Sequence, residues 1–403
     1  IVTSFSDFLP DTPDIPLHPT MSAGKQYIEG TLDFMDFLGS AEDEEIVLPR
    51  IDLETDLALL QYTAGTTGHP KGAMLTHANL AVHGCIVRHY YEYRDTDVHL
   101  LVLPVFHVTG LDIALNPALA QGATVIMMAR FDPGTLLETV SRFNVTHMVT
   151  ITPVNIALIH FPGISRNMFR SLRFVVSGGA PLPDEVREKW EQVTGTPLYE
   201  GYGLSECTGG IIGNSPRNIC PGTVGRPVSF HGIRLVDTRT GEDAGADEPG
   251  ELWIKGPCVM KGYWNAPEQT GEALTPDGWL KTGDMAVKDE NGRVKIAGRL
   301  KEMIKVSGYS VFLEEIDSVL IRHEAVAEAA TIGVAHPYRG EEPKSFVVPA
   351  PDFRGRVAEE DIIAYCREKM AAYKYPRQVV FVDSLPKNGA GKLLRRALKE
   401  TDT

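Results

Sequence analysis

From Leu57 onward, short apolar runs alternate with longer amphipathic stretches. Leu57-Ala58-Leu59-Leu60, Leu100-Leu101-Val102-Leu103, Thr124-Val125-Ile126-Met127 and Phe174-Val175-Val176 predict buried strands. Residues 79–91, 111–120, 134–143, 153–160 and 183–194 predict the helices between them. This alternation predicts α/β units around a largely parallel sheet, whose ligands sit beyond the carboxyl ends of the strands. The turn after Leu60, the turn at His107 and the turn Ser177-Gly178-Gly179-Ala180 all follow such runs, so they are expected to converge on one crevice. Between about 220 and 300 helical periodicity fades, and Gly and Pro punctuate strands at 232–237, 250–255, 286–288 and 293–297. After Arg299, helices at 313–322, 358–372 and 391–400 separate strands near 326–334, 344–349 and 378–382. The expected architecture is an α/β large domain over 1–300, with a β-rich part at about 220–300, and a small α+β domain over 301–403. Residues 1–50 show little periodicity, apart from a short helix at Phe34–Leu38, and read as a tether.

Composition narrows the class. A chain of 403 residues is long enough for two or three domains. Its 43% hydrophobic and 23% charged content is that of a soluble globular protein. A formal charge of -14 disfavours a nucleic-acid binder, which needs a basic face to release counterions. Five scattered cysteines, without paired metal-ligand spacing, fit a reducing cytoplasmic setting. No apolar run approaches the roughly 18 residues that a membrane span needs. The opening Ile1-Val2-Thr3-Ser4 has neither an initiating Met nor the basic start of a signal peptide, and so reads as the start of a fragment.

The chemistry concentrates in five stretches. Tyr62-Thr63-Ala64-Gly65-Thr66-Thr67-Gly68-His69-Pro70-Lys71-Gly72 places three glycines, three threonines and a lysine directly after a strand. Glycines let backbone N–H groups turn toward an anion, and hydroxyls and Lys71 add donors and charge, so the stretch is a phosphate cradle in outline. It is not Walker A, because Lys71 follows Pro70 and precedes Gly72. Alone, it reads almost as well as a flexible surface loop. Tyr199-Glu200-Gly201-Tyr202-Gly203-Leu204-Ser205-Glu206 offers a ring to stack and a hard oxygen suited to Mg²⁺, or else a turn with a solvated Glu. Trp279-Leu280-Lys281-Thr282-Gly283-Asp284 offers a carboxylate for ribose hydroxyls, or an ordinary hairpin Asp. Gly298-Arg299-Leu300-Lys301-Glu302 lies where composition shifts and suits a hinge or a basic surface turn. Pro386-Lys387-Asn388-Gly389-Ala390-Gly391-Lys392 is a second glycine-rich, lysine-bearing loop at the entry to the last helix.

Together, in this order, these motifs resemble the adenylate-forming superfamily, and most closely the acyl-CoA synthetases, over essentially the whole chain. The resemblance implies an ATP-dependent carboxylic acid:CoA ligase that forms acyl-AMP and then acyl-CoA, with ATP, Mg²⁺ and CoA, and a mobile C-terminal domain. It implies that Thr63, Thr66, Thr67 and Lys71 hold the β- and γ-phosphates, with Glu206 and Thr63 at the metal. Gly179, Ala180, Gly201 and Tyr202 would flank adenine, and Asp284 and Arg299 would hold the ribose, with Lys305 also on the nucleotide. Lys392, Glu206, Thr67 and His107 would be catalytic, Lys392 bridging the substrate carboxylate and the α-phosphate. His107, Val108, Gly178 and Gly203 would line the acyl pocket; Ser307, Gly308 and Tyr309 would meet CoA; Lys301 would be the hinge. The small residues Gly178 and Gly179 suggest a medium or long acyl chain.

Members of the family normally carry a further N-terminal subdomain that this sequence does not show, as expected either of a fragment or of a natural variant without it. The resemblance is compatible with a homodimer. Peptide-synthetase adenylation domains are similar too, but place Asp where His107 stands, to pair with a substrate amine. A luciferase-like or aryl-acid ligase, and a truncated nucleotide binder without turnover, remain as alternatives. A serine hydrolase is disfavoured, since neither Ser177 nor Ser205 sits in a Gly-x-Ser-x-Gly elbow.

Overall fold

The computed structural model describes residues 1–10, 12–13, 15, 21, 23–40, 47–63, 70–387 and 393–401. Before Leu57 none of the described residues is buried. Helix α1 (Phe34–Gly39) forms there because the Asp33 carboxylate caps it, accepting from the Met35 and Asp36 amides.

Strands β1 (Leu57–Thr63) and β2 (Lys71–Thr76) pair antiparallel, with Thr63 opposite Lys71. The glycine-rich stretch is therefore the connection of a hairpin. A strand follows it, and helix α2 (His77–Tyr90) comes only afterwards, entered through a Thr76–Asn79 capping box. This corrects the expectation of a simple strand–turn–helix unit.

The large sheet then builds in order. Strand β3 (Val98–Leu101) is followed by a π-helix (Thr109–Leu115) that runs on into α3 (Asn116–Gln121). β4 (Thr124–Met127), α4 (Pro133–Arg142), β5 (His147–Thr150), α5 (Thr152–Ile159), β6 (Phe174–Ser177) and α6 (Asp184–Thr194) follow. β7 (Leu198–Leu204), β8 (Gly209–Gly213) and β9 (Arg226–Pro227) complete the sheet. The strand order is β4-β3-β5-β6-β7-β8-β9, parallel from β4 to β7 and antiparallel beyond it. β3 to β6 are four-residue strands and β7 has seven; β6 is buried along its whole length, which is why Phe174-Val175-Val176 reads as a continuous apolar run. α4 shows the helical side of the same logic: Leu136, Leu137 and Val140 are buried, and Asp132 caps it just before Pro133. Leu100, Met148, Phe174, Trp190 and Leu198 are the centre of this core.

A four-stranded antiparallel sheet follows, made of β10 (Gly232–Val236), β11 (Gly250–Lys255), β12 (Leu280–Lys288) and β13 (Val294–Arg299), with α7 (Pro267–Ala273) inserted before β12. β12 begins at Leu280, so Thr282, Gly283 and Asp284 lie within a strand rather than after a turn. The β1–β2 hairpin shares this second core: Ala73 and Leu75 pack with Ile211, Leu252 and Cys258.

The remainder forms its own core around Ile304, Val311, Ile316, Val347 and Ile362. Its elements are β14 (Met303–Val306), β15 (Tyr309–Phe312), α8 (Leu313–Leu320), β16 (Val326–His336), β17 (Gly340–Pro349), α9 (Glu359–Lys369), β18 (Gln378–Phe381) and α10 (Arg395–Thr401). Strands β15-β14-β17-β16 pair in that order, and β18 joins β17 in parallel. A one-turn 3₁₀ helix, Leu300–Glu302, links β13 to β14.

Candidate active site

Lys71 opens β2, and an extended strap at 260–264 lies against that strand. The Lys261 amide donates to Met74 O at 2.9 Å, Met74 N to Gly262 O at 2.9 Å, and Trp264 N to Gly72 O at 2.8 Å. The strap also holds the turn after β7, since Met260 N donates to Glu206 O at 2.8 Å. The side chains follow the backbone. The Tyr263 hydroxyl donates to Glu206 Oε1 at 2.8 Å, and Lys71 Nζ stands 5.0 Å from the Tyr263 ring centroid. Lys71, Glu206 and Tyr263 thus form one cluster, with Thr63 in register opposite Lys71. Among the described residues Glu206 Oε2 receives no hydrogen bond. One carboxylate oxygen held and one left open is a donor set that fits a hard divalent cation shared with phosphate oxygens. Thr66, Thr67 and Lys392 lie outside the described residues.

Four residues back on β7, a second cluster forms. The Tyr202 hydroxyl donates to Asp284 Oδ2 at 2.6 Å, and Arg299 Nε lies 3.3 Å from Asp284 Oδ1. Asp284 and Arg299 are cross-strand partners on β12 and β13, so the sheet register itself makes this pair. Asp284 is 4% exposed. Burial, with the neighbouring Asp284 charge, pushes the Tyr202 phenol well above its ordinary pKa and keeps it a donor. The turn after β6 runs alongside: a Cβ on Gly178 would lie 3.3 Å from Gly201 O, and Gly179 has φ +72°. Both glycines therefore have backbone reasons for their size, and they carry no information about acyl length. Glu200 fixes this turn by accepting from Leu182 N at 3.3 Å; burial raises its carboxyl to about 7. Ala180 is exposed on the same turn.

The His107 turn is tied to β1. Gln61 Nε2 donates to Phe106 O at 2.9 Å, and the Thr109 amide donates to His107 Nδ1 at 3.2 Å. Val108 is buried and leads into the π-helix. Gly203 sits at the register shift between β7 and β8, where a Cβ would meet Gly209 O at 1.8 Å, so only glycine fits.

In the small unit, Ser307 (φ +51°) and Gly308 (φ +85°) make the tight turn between β14 and β15. Lys305 Nζ donates to Ser310 Oγ at 2.6 Å, and Ser307 N to Arg339 O at 2.8 Å, so these residues bond within the small unit. Tyr309 is exposed and stacks on Tyr373, centroids 4.4 Å apart at 18°. Lys301 lies in the 3₁₀ linker. At the junction, a Cβ on Gly298 would stand 2.7 Å from Glu314 Oε2 and 3.1 Å from Phe312 Cβ. Arg395 ties the linker to the start of α10, reaching Glu302 Oε2 and Asp317 Oδ2 at 2.7 Å each and Thr331 O at 2.8 Å.

Sequence reasoning missed Tyr263, Gln61 and Glu200. The only local signal for Tyr263 is an aromatic pair, Tyr263-Trp264, after a glycine. Its partner is 57 positions away.

Residues 17–264 match the model of the AMP-binding enzyme family, and 315–392 match that of the AMP-binding enzyme C-terminal domain. The chain is 38% identical to a long-chain-fatty-acid–CoA ligase of Bacillus subtilis, covering 100% of this chain and 73% of the relative. It is 36% identical to a feruloyl-CoA synthase of an Amycolatopsis species over 89% of this chain and 72% of that one. Among solved structures, ATP-bound MatB from Rhodopseudomonas palustris superposes with a TM-score of 0.84 at 32% identity, covering 91% of this chain and 72% of that one.

Proposed function

This chain belongs to the AMP-binding enzyme family, and from that premise we propose that it is an ATP-dependent ligase that joins a long-chain fatty acid to CoA through an acyl-AMP intermediate. The observation that carries the reading is the placement of two charged clusters, Lys71–Glu206–Tyr263 and Tyr202–Asp284–Arg299, at the end of one strand, β7. The β6 turn runs beside β7, with a Cβ on Gly178 3.3 Å from Gly201 O.

The chemistry poses an electrostatic problem. A carboxylate must approach an α-phosphorus that already carries negative oxygens, in line with the departing pyrophosphate. Lys71, with Thr63, Thr66 and Thr67, would take the β- and γ-phosphates. Asp284 and Arg299 would hold the ribose, and Tyr202 with the turn 178–180 would flank the adenine. Mg²⁺, when bound at Glu206 and Thr63, would neutralise triphosphate charge. Lys392 would place its ammonium between the attacking carboxylate and the α-phosphate, where charge develops. The new C–O–P linkage forms as the bond to pyrophosphate breaks. The mixed anhydride hydrolyses if wetted, so the site has reason to stay closed until CoA arrives. Rotation about Lys301 would then withdraw Lys392 and present the turn Ser307-Gly308-Tyr309 to CoA. The thiol sulfur would attack the acyl carbon, lose its proton and release AMP. Five free thiols are in keeping with a cytoplasmic setting, which is part of the proposal.

The test is a panel of acids from acetate to palmitate, with benzoate and ferulate, read by ATP–pyrophosphate exchange and thioester formation. Palmitate or another long acid should turn over fastest. Fastest turnover of ferulate would move the assignment to the aryl acids, which the similarity to the feruloyl-CoA synthase favours. Absence of exchange with every acid would overturn the ligase reading.

A further inference from the structure

Tyr263 is assigned no role by anything so far, yet it touches both charges of the phosphate cluster. Its hydroxyl donates to Glu206 Oε1 at 2.8 Å, and its ring face carries Lys71 Nζ at 5.0 Å. It is 9% exposed, and its backbone is pinned to β2 through the bridge to Ala73. Lys71 and Glu206 reach Tyr263 from different elements, and opposite charges so placed tend to close on each other. Here no ion pair joins them. The phenol occupies one carboxylate oxygen, and the ring offers the ammonium a second, weaker partner. A phenol is protonated at neutral pH, so the hydroxyl is a donor to the carboxylate.

Building on the ligase reading, we infer that Tyr263 is a positioning residue that keeps Glu206 and Lys71 apart and aimed, so that the metal-bound triphosphate meets both charges unspent. The hydroxyl orients Glu206 with its second oxygen toward the cation. The ring parks Lys71 where phosphate can collect it at little cost, because a cation–π contact is exchanged for a stronger ionic one.

Two variants separate the two contacts. Tyr263→Phe keeps the ring and loses the hydroxyl. Tyr263→Leu loses both. Binding of Mn²⁺·ATP, followed through the loss of the free Mn²⁺ resonance, and binding of ATP without metal, followed by calorimetry, give readouts independent of turnover. Tyr263→Phe should weaken Mn²⁺·ATP on the order of tenfold, the scale of one hydrogen bond to a charged group, and leave metal-free ATP unchanged. Tyr263→Leu should weaken both, because Lys71 and Glu206 then pair with each other. In a Glu206→Gln background, Tyr263→Phe should cost little more. Equal loss of both forms of ATP in Tyr263→Phe, no loss in it, or full additivity with Glu206→Gln would overturn the inference. Wild-type protein that bound neither form would sink the ligase reading itself.

Discussion

Two tyrosine–carboxylate pairs lie at the end of β7, and they are built to opposite ends. Tyr202–Asp284 is closed: the carboxylate is buried, the phenol takes one oxygen at 2.6 Å, and Arg299 stands 3.3 Å from the other. Tyr263–Glu206 is open: the phenol takes one oxygen at 2.8 Å, the nearby cation is held on a ring, and the second oxygen receives no hydrogen bond among the described residues. A neutralised carboxylate suits a neutral partner such as a ribose hydroxyl. A carboxylate with charge to spare suits a cation. In the function proposed above, the same two side-chain types would therefore serve different ligands, and the third group would decide which.

The difference can be broken by experiment. Glu206→Gln should reduce pyrophosphate exchange on the order of 10²–10³-fold and shift the Mg²⁺ titration, since it removes a fixed charge from the reacting phosphates. An unchanged Mg²⁺ titration would erase the distinction between the pairs. Lys392→Ala should reduce adenylate formation to a similar degree, yet spare thioester formation from supplied acyl-AMP; parallel loss of both half-reactions would make Lys392 structural. Asp284→Asn should raise the KM for ATP roughly tenfold or more, with Mg²⁺ dependence unchanged, because Arg299 loses its charge partner. Tyr202→Phe should raise that KM about three- to tenfold, the value of one hydrogen bond.

A third carboxyl sharpens the comparison because no cation offsets it. Asp112 in the π-helix is buried, and among the described residues its carboxyl accepts only from Asn116 Nδ2, at 2.6 Å; burial raises it to about 7. Between about pH 4 and 7 the unfolded chain releases this proton while the folded chain retains it, so wild-type stability falls as pH rises through that window. Asp112→Asn removes the effect. Its melting temperature should gain on wild type steadily from pH 4 to 7 and hold a constant lead above that. A difference independent of pH would show that Asp112 ionises normally.

The two pairs also mark how far the sequence could be read. α4 and α6 were legible because one face of each is apolar at helical spacing, and because α4 starts at an Asp132 cap and α6 ends at Gly195 in the left-handed region. β5 was not, because His147 and Thr150 interrupt its apolar run although the whole strand is buried. β2 was not, because a glycine-rich loop more often opens a helix than turns a hairpin. Asp284 and Arg299 were named from motif wording, but their pairing comes from the β12–β13 register, which no local pattern encodes. Tyr263 is the extreme case: its meaning lies in Glu206 and Lys71, both distant in sequence, and only the strap's hydrogen bonds to β2 bring it there.

At the junction between the large and small units, position 298 leaves room for main chain alone. The small unit meets β13 at that bare point, while Arg322 Nε and Glu185 Oε1 stand 3.2 Å apart across the same two units. A single methyl group at that point would lift Glu314 and Phe312 off their seat. The rotation proposed above would then start from a tilted axle.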